Sequence, residues 1–170
     1  MSYWAKDKRL SYQIYDQLEP KNRWAALTQS IHSLFGVRLL PPQYLKERGE
    51  ITMAYEEQSG VRLDLSSAGR GLQQTLLLLA HLYANPRTIL LLDEPDAHLE
   101  ILRQRQIYKL ITEIASEQGS QVIAASHSEI ILNEAADRDI VIAFVGEPHR
   151  IDDRGSQVLK SLKEIGYDQY

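Results

Sequence analysis

The chain contains no cysteine among its 170 residues, which excludes disulfides and thiolate metal sites and fits a reducing compartment. No apolar run approaches the roughly 20 residues needed to cross a bilayer. The first residues, Met1-Ser2-Tyr3-Trp4-Ala5-Lys6-Asp7-Lys8, lack the apolar core of a signal peptide. Strong charge of either sign is missing as well. A net charge of −4 argues against a domain that is basic throughout, while leaving room for a local basic patch. Internal repeats and low-complexity stretches are also lacking. A soluble cytoplasmic domain with no membrane partner is the expectation, and 44% hydrophobic residues suffice for one sizeable core.

What is present is ordered. Leu10, Ile14 and Leu18 stand four apart and predict a helix over 3–18; Trp24, Leu27, Ile31 and Leu34 predict another over 21–35, closed by Gly36. Leu39-Leu40-Pro41-Pro42 reads as a break. The period then changes from 3.6 to 2. Ile51, Met53 and Tyr55 alternate with polar or small residues, and after Gln58-Ser59-Gly60 so do Val61, Leu63 and Leu65, which predicts a hairpin with one buried face. A helix over 72–83, apolar nearly all round, should be buried. Strand 88–92 is followed by a helix over 98–117 that turns Leu99, Leu102, Leu110, Ile111 and Ile114 to the core. Strand 121–125, a short helix ending near Ala136 and strand 139–145 come next, then a short strand near Arg150 and a helix over 156–165. The alternation of strand and helix predicts an α/β fold, a parallel sheet flanked by helices, preceded by a helical segment and a β-hairpin. Residues 1–49 form the helical segment, 50–150 the region that carries the chemistry, and 151–170 a linker with a short helix.

The centre of this arrangement is Thr88-Ile89-Leu90-Leu91-Leu92-Asp93-Glu94-Pro95-Asp96. An all-apolar strand suits a position covered on both faces of a parallel sheet, and its carboxylates would emerge at the C-terminal end, where open α/β sheets place ligands. Nucleotide hydrolysis needs one carboxylate to hold Mg²⁺ and a second group to orient or deprotonate water. Consecutive strand residues point opposite ways, but a bend at the strand end lets Asp93 and Glu94 share one cleft. The plain alternative is a solvated acidic turn. Ser67, Gly69 and Gly71, just before a helix, leave backbone N–H groups bare with a helix dipole behind them, which suits an anion such as a γ-phosphate; the plain alternative is an ordinary serine cap with a glycine turn. His127, in Ser126-His127-Ser128, follows a strand end on the same side of the sheet, where it can reach a phosphate oxygen or simply sit at the surface. The other histidines, His32, His81, His98 and His149, have no metal-ligand spacing among them. His98 stands apart because it follows the acidic pair directly.

The order of these pieces is more specific than any one of them. It resembles the C-terminal half of an ABC-type ATPase head, a P-loop NTPase fold, as in the RecF, structural-maintenance-of-chromosomes (SMC) and overcoming-lysogenization-defect (OLD) groups of the AAA family. Leu65-Ser66-Ser67-Ala68-Gly69-Arg70-Gly71-Leu72-Gln73-Gln74 looks like the ABC signature in its OLD-like form, Leu91-Leu92-Asp93-Glu94-Pro95 like Walker B, Asp96-Ala97-His98-Leu99 like the D-loop, and His127 like the switch histidine. The resemblance covers residues 50–145 well and the N-terminal helices only loosely. It implies Asp93 as the Mg²⁺ residue, Glu94 as general base and His127 as a γ-phosphate contact. It further implies Ser66, Ser67, Gly69 and Gly71, with Asp96 and His98 of the D-loop, on the nucleotide side. The signature would reach ATP on the opposite subunit, so the site would form only in a homodimer. The signature departs from LSGGQ at Ala68-Gly69-Arg70, leaving Ser66 and Ser67 both open as the contacting serine; Ser67, two before Gly69, is the one expected.

One part of such a site is missing. The sequence has no G-x-x-x-x-G-K-[ST] and no Gly-Lys dipeptide, so the phosphate cradle, its lysine and its Mg²⁺-binding hydroxyl are not in it. The expectation is therefore half of an ATPase. It would need a Walker A-bearing N-terminal segment or chain, with DNA repair, chromosome handling or phage defence as family associations and DNA as a possible partner. Gly155–Tyr170 resembles the linker that leads to a Toprim nuclease domain in OLD-like proteins. Two other classes are a non-catalytic interaction module that keeps the scaffold, and a carboxylate-metal hydrolase built on Asp93, Glu94 and Asp96.

Overall fold

A computed structural model describes residues 21–151 except 137, 145 and 146; the helices expected over 3–18 and 156–165 lie outside the described residues. The chain divides into two compact units. One holds the described residues up to Leu91 together with Lys109–Ile123, the other Leu92–Tyr108 together with those from Ala124 onward.

In the first unit, α1 (Lys21–Phe35) ends where expected. Gly36 takes φ 70°, and its N–H donates to His32 O at 2.8 Å, the left-handed stop that glycine makes at low cost. Leu27 and Ile31, four apart, are fully buried, and α1 packs on α2 (Arg70–Ala84). Arg23 Nη1 ties the two helices by donating to Tyr83 O at 3.3 Å. The apolar helix α2 is buried on most of its circumference, from Leu72 to Tyr83, as its composition predicts.

Between these helices run five short strands: β1 (Arg38–Leu39), β2 (Gln43–Leu45), β3 (Glu50–Thr52), β4 (Ala54–Glu56) and β5 (Arg62–Asp64). The expected hairpin is β4–β5, antiparallel, with Tyr55 opposite Leu63. Its first arm differs from the expectation, because the alternating run 51–56 breaks at Met53. The Met53 side chain is buried and its carbonyl accepts from Leu65 N at 2.9 Å. The pieces on either side of that break take separate partners, β3 with β2 and β4 with β1. Strands β1 and β2 occupy the stretch read as a break around Pro41-Pro42. They are too short to show a period, and proline, which lacks the N–H, separates them. The 49/50 boundary expected from the change of period falls inside the β2–β3 hairpin. Glu56 lies opposite both Arg38 and Arg62 and accepts from them at 2.8 and 3.0 Å. The Arg62 hydrogen bond first, then that of Arg38, holds the Glu56 carboxyl below the usual range.

Strands β6 (Ile89–Asp93) and β7 (Gln121–Ala125) form a two-stranded sheet. Gln121 N donates to Thr88 O at one end and Glu94 N to Ala125 O at the other, both at 2.9 Å, so partner numbers rise together and the pair is parallel. Helix α3 (Ile101–Gln118) crosses from one strand to the next, and α4 (Glu129–Ala136) follows β7. Strand β8 (Ile142–Ala143) keeps two residues of the expected 139–145 strand and pairs antiparallel with β9 (His149–Arg150).

Two expectations about burial are corrected. Strand β6 is not covered on both faces: Ile89 and Leu91 are 64% and 72% exposed, as is Ile123 of β7 at 62%, while Leu90 and Leu92 are half-buried. On α3 the buried stripe is Ile107, Ile111 and Ile114, and Leu102 is 76% exposed. Five residues at about 100° each put Leu102 about 140° away from Ile107, off that stripe.

Candidate functional site

The acidic pair sits where β6 ends. Glu94 takes φ 45°, a left-handed conformation costly for any residue with a Cβ. The strain is held by two backbone bonds, Glu94 N to Ala125 O at 2.9 Å and Ala97 N to Glu94 O at 3.0 Å. This turn breaks the strand alternation just after Asp93, and both carboxylates are exposed. The Ala125 bond also sets the end of β7 beside the end of β6, so that His127, two residues on, comes near Glu94. His127 Nε2 stands 3.9 Å from Glu94 Oε1, with both side chains mainly in solvent. That separation is too long for a hydrogen bond and leaves the two groups facing a common space.

The turn after Glu94 folds inward. Pro95 and Asp96 are buried, and Asp96 Oδ1 accepts from Ser126 Oγ at 2.7 Å. Asp96, expected on the nucleotide side, turns its carboxylate to the Ser126 turn. His98, by contrast, is exposed, with a second strained φ of 65°. Among the described residues no group of three or more His, Cys, Asp or Glu is placed to hold a metal ion. Asp93 presents one exposed carboxylate, and Mg²⁺ with nucleotides is commonly held by one or two carboxylates plus phosphate oxygens and water.

The serine–glycine loop belongs to the first unit. Residues 65–67 form one 3₁₀ turn, capped by Asp64 Oδ1 accepting from Ser66 N at 2.8 Å. Gly69 is the N-cap of α2 and offers no side-chain cap, so the N–H groups of the first turn are left to a ligand or water. Ser67 Oγ donates back to Asp64 O at 2.6 Å, and both Ser66 and Ser67 are exposed; Ser67 can donate to a phosphate only by exchanging that bond. Gly71 lies in the first turn of α2. Residue Gln73 is the one whose role spacing did not reveal. It is 6% exposed, and its Nε2 lies 2.6, 3.2 and 3.4 Å from the carbonyls of Ala68, Leu65 and Ser66. A glutamine inside a leucine-rich buried helix was the available signal, since buried amides need partners.

The second unit holds paired carboxylates at one strand end and a histidine at the next, and the first unit holds an uncapped helix behind a serine–glycine loop; the chain is similar to ATPase domains of ABC and SMC type. The model of a family described as "AAA domain, putative AbiEii toxin, Type IV TA system" matches residues 6–133, and the chain belongs to that AAA-domain family. Among curated proteins it is 31% identical over 114 residues to the phosphonates import ATP-binding protein PhnC 2 of Nostoc sp., covering 65% of this chain and 43% of that protein. It is 27% identical over 155 residues to the energy-coupling factor transporter ATP-binding protein EcfA1 of Oceanobacillus iheyensis, covering 88% and 54%. The chain therefore spans about half the length of these relatives. Among solved structures it is similar to a chain from work on ATP-driven dimerization and DNA-stimulated activation of SMC ATPases (TM-score 0.58, 18% identity, 85% of this chain and 93% of that one). It is also similar to the Smc head domain of Pyrococcus yayanosii (TM-score 0.58, 21% identity, 86% and 31%). These likenesses give the fold, an α/β P-loop NTPase domain of the SMC-head kind. No helix among the described residues is long and apolar enough to cross a membrane.

Proposed function

We propose that this chain is the hydrolytic half of an ATPase and works on ATP only together with a segment that grips the phosphates. The carrying observation is the convergence of Glu94 and His127 at the ends of neighbouring parallel strands, with Glu94 held in a strained turn. Asp93 would hold Mg²⁺ through its exposed carboxylate; the ion, when bound, neutralises charge on the transferring phosphoryl group. Glu94 takes a proton from the attacking water, and His127 donates to a γ-phosphate oxygen. The bare N–H groups behind Gly69, with Ser66 or Ser67, would meet the γ-phosphate of ATP on a second copy. That makes the working form a nucleotide-bound homodimer. The exposed face of Ile89, Leu91 and Ile123 supports a half that is completed by another segment.

The test is reconstitution with a segment carrying G-x-x-x-x-G-K-[ST]. Alone, the chain should bind ATP weakly and not turn it over; stoichiometric turnover by the chain alone would defeat the reading. The setting we propose is DNA handling, in repair or phage defence. Its support is the fold likeness to SMC heads, and duplex DNA should stimulate turnover of the reconstituted pair. A second reading, a non-catalytic interaction module on the same scaffold, is favoured by the lack of the cradle in this sequence. It predicts partner binding that does not change with nucleotide.

A further inference from the structure

We infer that the cleft at the junction of β1 and β2 binds single-stranded nucleic acid, with a base on Tyr44 and its phosphate on Lys46 and Arg62. Every residue involved belongs to the first unit, and none to the Glu94–His127 pair, so the inference does not rest on the ATPase reading. Proline has no N–H with which to continue a ladder; Pro41-Pro42 separate β1 from β2, and a cleft of about 670 Å³ opens there. Leu40, Pro41, Pro42 and Tyr44 give it an apolar side, and Lys46 and Arg62 a cationic one. Among the described residues no Asp or Glu lines it. Tyr44 is 47% exposed and lies opposite Ile51, whereas Glu50, opposite Leu45, falls on the other face of the hairpin by strand alternation. Arg62 is oriented by donating from Nε to Glu56 at 3.0 Å, yet its side chain stays 69% exposed. Arg38 meets the same carboxylate from the other side of β4 and carries the row of cations across the sheet.

An exposed aromatic ring beside two cations matches a base joined to a phosphate. Every base has a π-face to stack, and Lys and Arg meet phosphate oxygens. Exposure decides between a free nucleotide and a strand. Small-ligand sites bury about 70–90% of their ligand, but here Pro41, Tyr44, Lys46 and Arg62 are all exposed, so the cleft covers its occupant from one side only. A strand that continues toward Arg38 gains contacts that a single nucleotide lacks. An acidic peptide would use the cations and leave the ring idle.

The test titrates the full chain, without ATP, into a fluorescein-labelled oligothymidylate of about 12 nucleotides and reads anisotropy at about 50 mM salt. Binding with a Kd on the order of 1–100 µM is expected. Tyr44→Leu should weaken it at least about fivefold, and Tyr44→Phe, which keeps the ring, should stay within about twofold of wild type. Lys46→Gln should weaken it and reduce the slope of log Kd against log salt by about 0.7, the share of one phosphate contact on a single strand. Arg48→Gln, in the same turn but outside the cleft lining, should stay within about twofold. Oligouridylate in parallel tells RNA from DNA as the strand taken, and binding of either supports the site. No binding of either, unchanged affinity in Tyr44→Leu, or equal losses in Lys46→Gln and Arg48→Gln overturns the inference. So does displacement of the oligonucleotide by an equal concentration of a polyglutamate peptide of the same charge. Should Tyr44→Leu not fold, the comparison of Lys46→Gln with Arg48→Gln decides alone. The ATPase reading fails separately, by lack of turnover in the reconstituted wild-type pair.

Discussion

Replacing Gln73 by leucine removes the amide from inside the serine–glycine loop at nearly constant volume. In the structure its nitrogen serves the carbonyls of Leu65, Ser66 and Ala68. Leu65 is fully buried, Ala68 half-buried and Ser66 exposed, so water can replace the partner fully at Ser66 and hardly at Leu65. An unsatisfied buried group costs about 1–3 kcal/mol. One such carbonyl and a partly hydrated second give a loss of about 2 kcal/mol, offset in small part by the apolar gain of leucine. For a chain of this length that is a fall in melting temperature of about 4–8 °C. Urea unfolding followed by circular dichroism measures the loss, and amide exchange across residues 65–71 shows where it acts. Gln73→Glu should do at least as much harm, because it sets a carboxylate against carbonyl oxygens. A Gln73→Leu variant within about 0.5 kcal/mol of wild type would refute the argument that the glutamine holds this loop.

Glu94→Gln in the reconstituted ATPase should leave ATP binding intact, reduce turnover by about 10²–10⁴-fold and accumulate ATP-bound dimers in size-exclusion chromatography; unchanged turnover would remove Glu94 as the base. His98, exposed at φ 65°, carries strain that glycine would not: relief of about 1–2 kcal/mol, less the entropy of glycine, predicts His98→Gly to be more stable by about 0.5–1 kcal/mol in urea unfolding. A lower urea midpoint would show that the His98 side chain contributes more than its backbone costs. Tyr108 is pushed above the usual phenol range, first by burial and then by its hydrogen bond to Asp139 and that residue's charge. With the folded pKa raised, the Tyr108 contribution is complete below the unfolded value near 10 and is lost as pH rises beyond it. Tyr108→Phe should therefore flatten the alkaline fall in stability, and an equally steep fall in the variant would contradict this.

The periodic segments were legible in advance. Helices over 21–35 and 72–83, the β4–β5 hairpin and the two strands ending at Asp93 and Ala125 follow from apolar spacing, with Gly36 as the stop of the first helix. Strands β1 and β2 were not, since two or three residues cannot display a period and their pairing depends on where the chain bends at Met53. The exposed face of β6 could not be read either: an apolar run states what a strand can bury, not whether a neighbour is there to bury it. At the site, residue types and order pointed to Asp93, Glu94 and His127 as candidates, and the strand ends set Glu94 and His127 3.9 Å apart. The inward turn of Asp96 and the bond of Ser67 to Asp64 depend on local backbone angles that identity does not encode. Gln73 was visible as an oddity in a leucine-rich helix, but its three acceptors come from a loop whose course only coordinates reveal.

The positive φ of Glu94 also governs how any future mutagenesis at that position should be interpreted. A valine or isoleucine there would lose the carboxylate and, being β-branched, clash in a left-handed turn, so lost activity could come from a displaced Pro95–His98 turn as readily as from a missing base. Glycine has the opposite fault, because it relaxes the turn while deleting the acid. Glutamine keeps both the backbone requirement and the shape, and asparagine tolerates the conformation at shorter reach. The residues open to selection at this position are correspondingly few, whatever chemistry is asked of it.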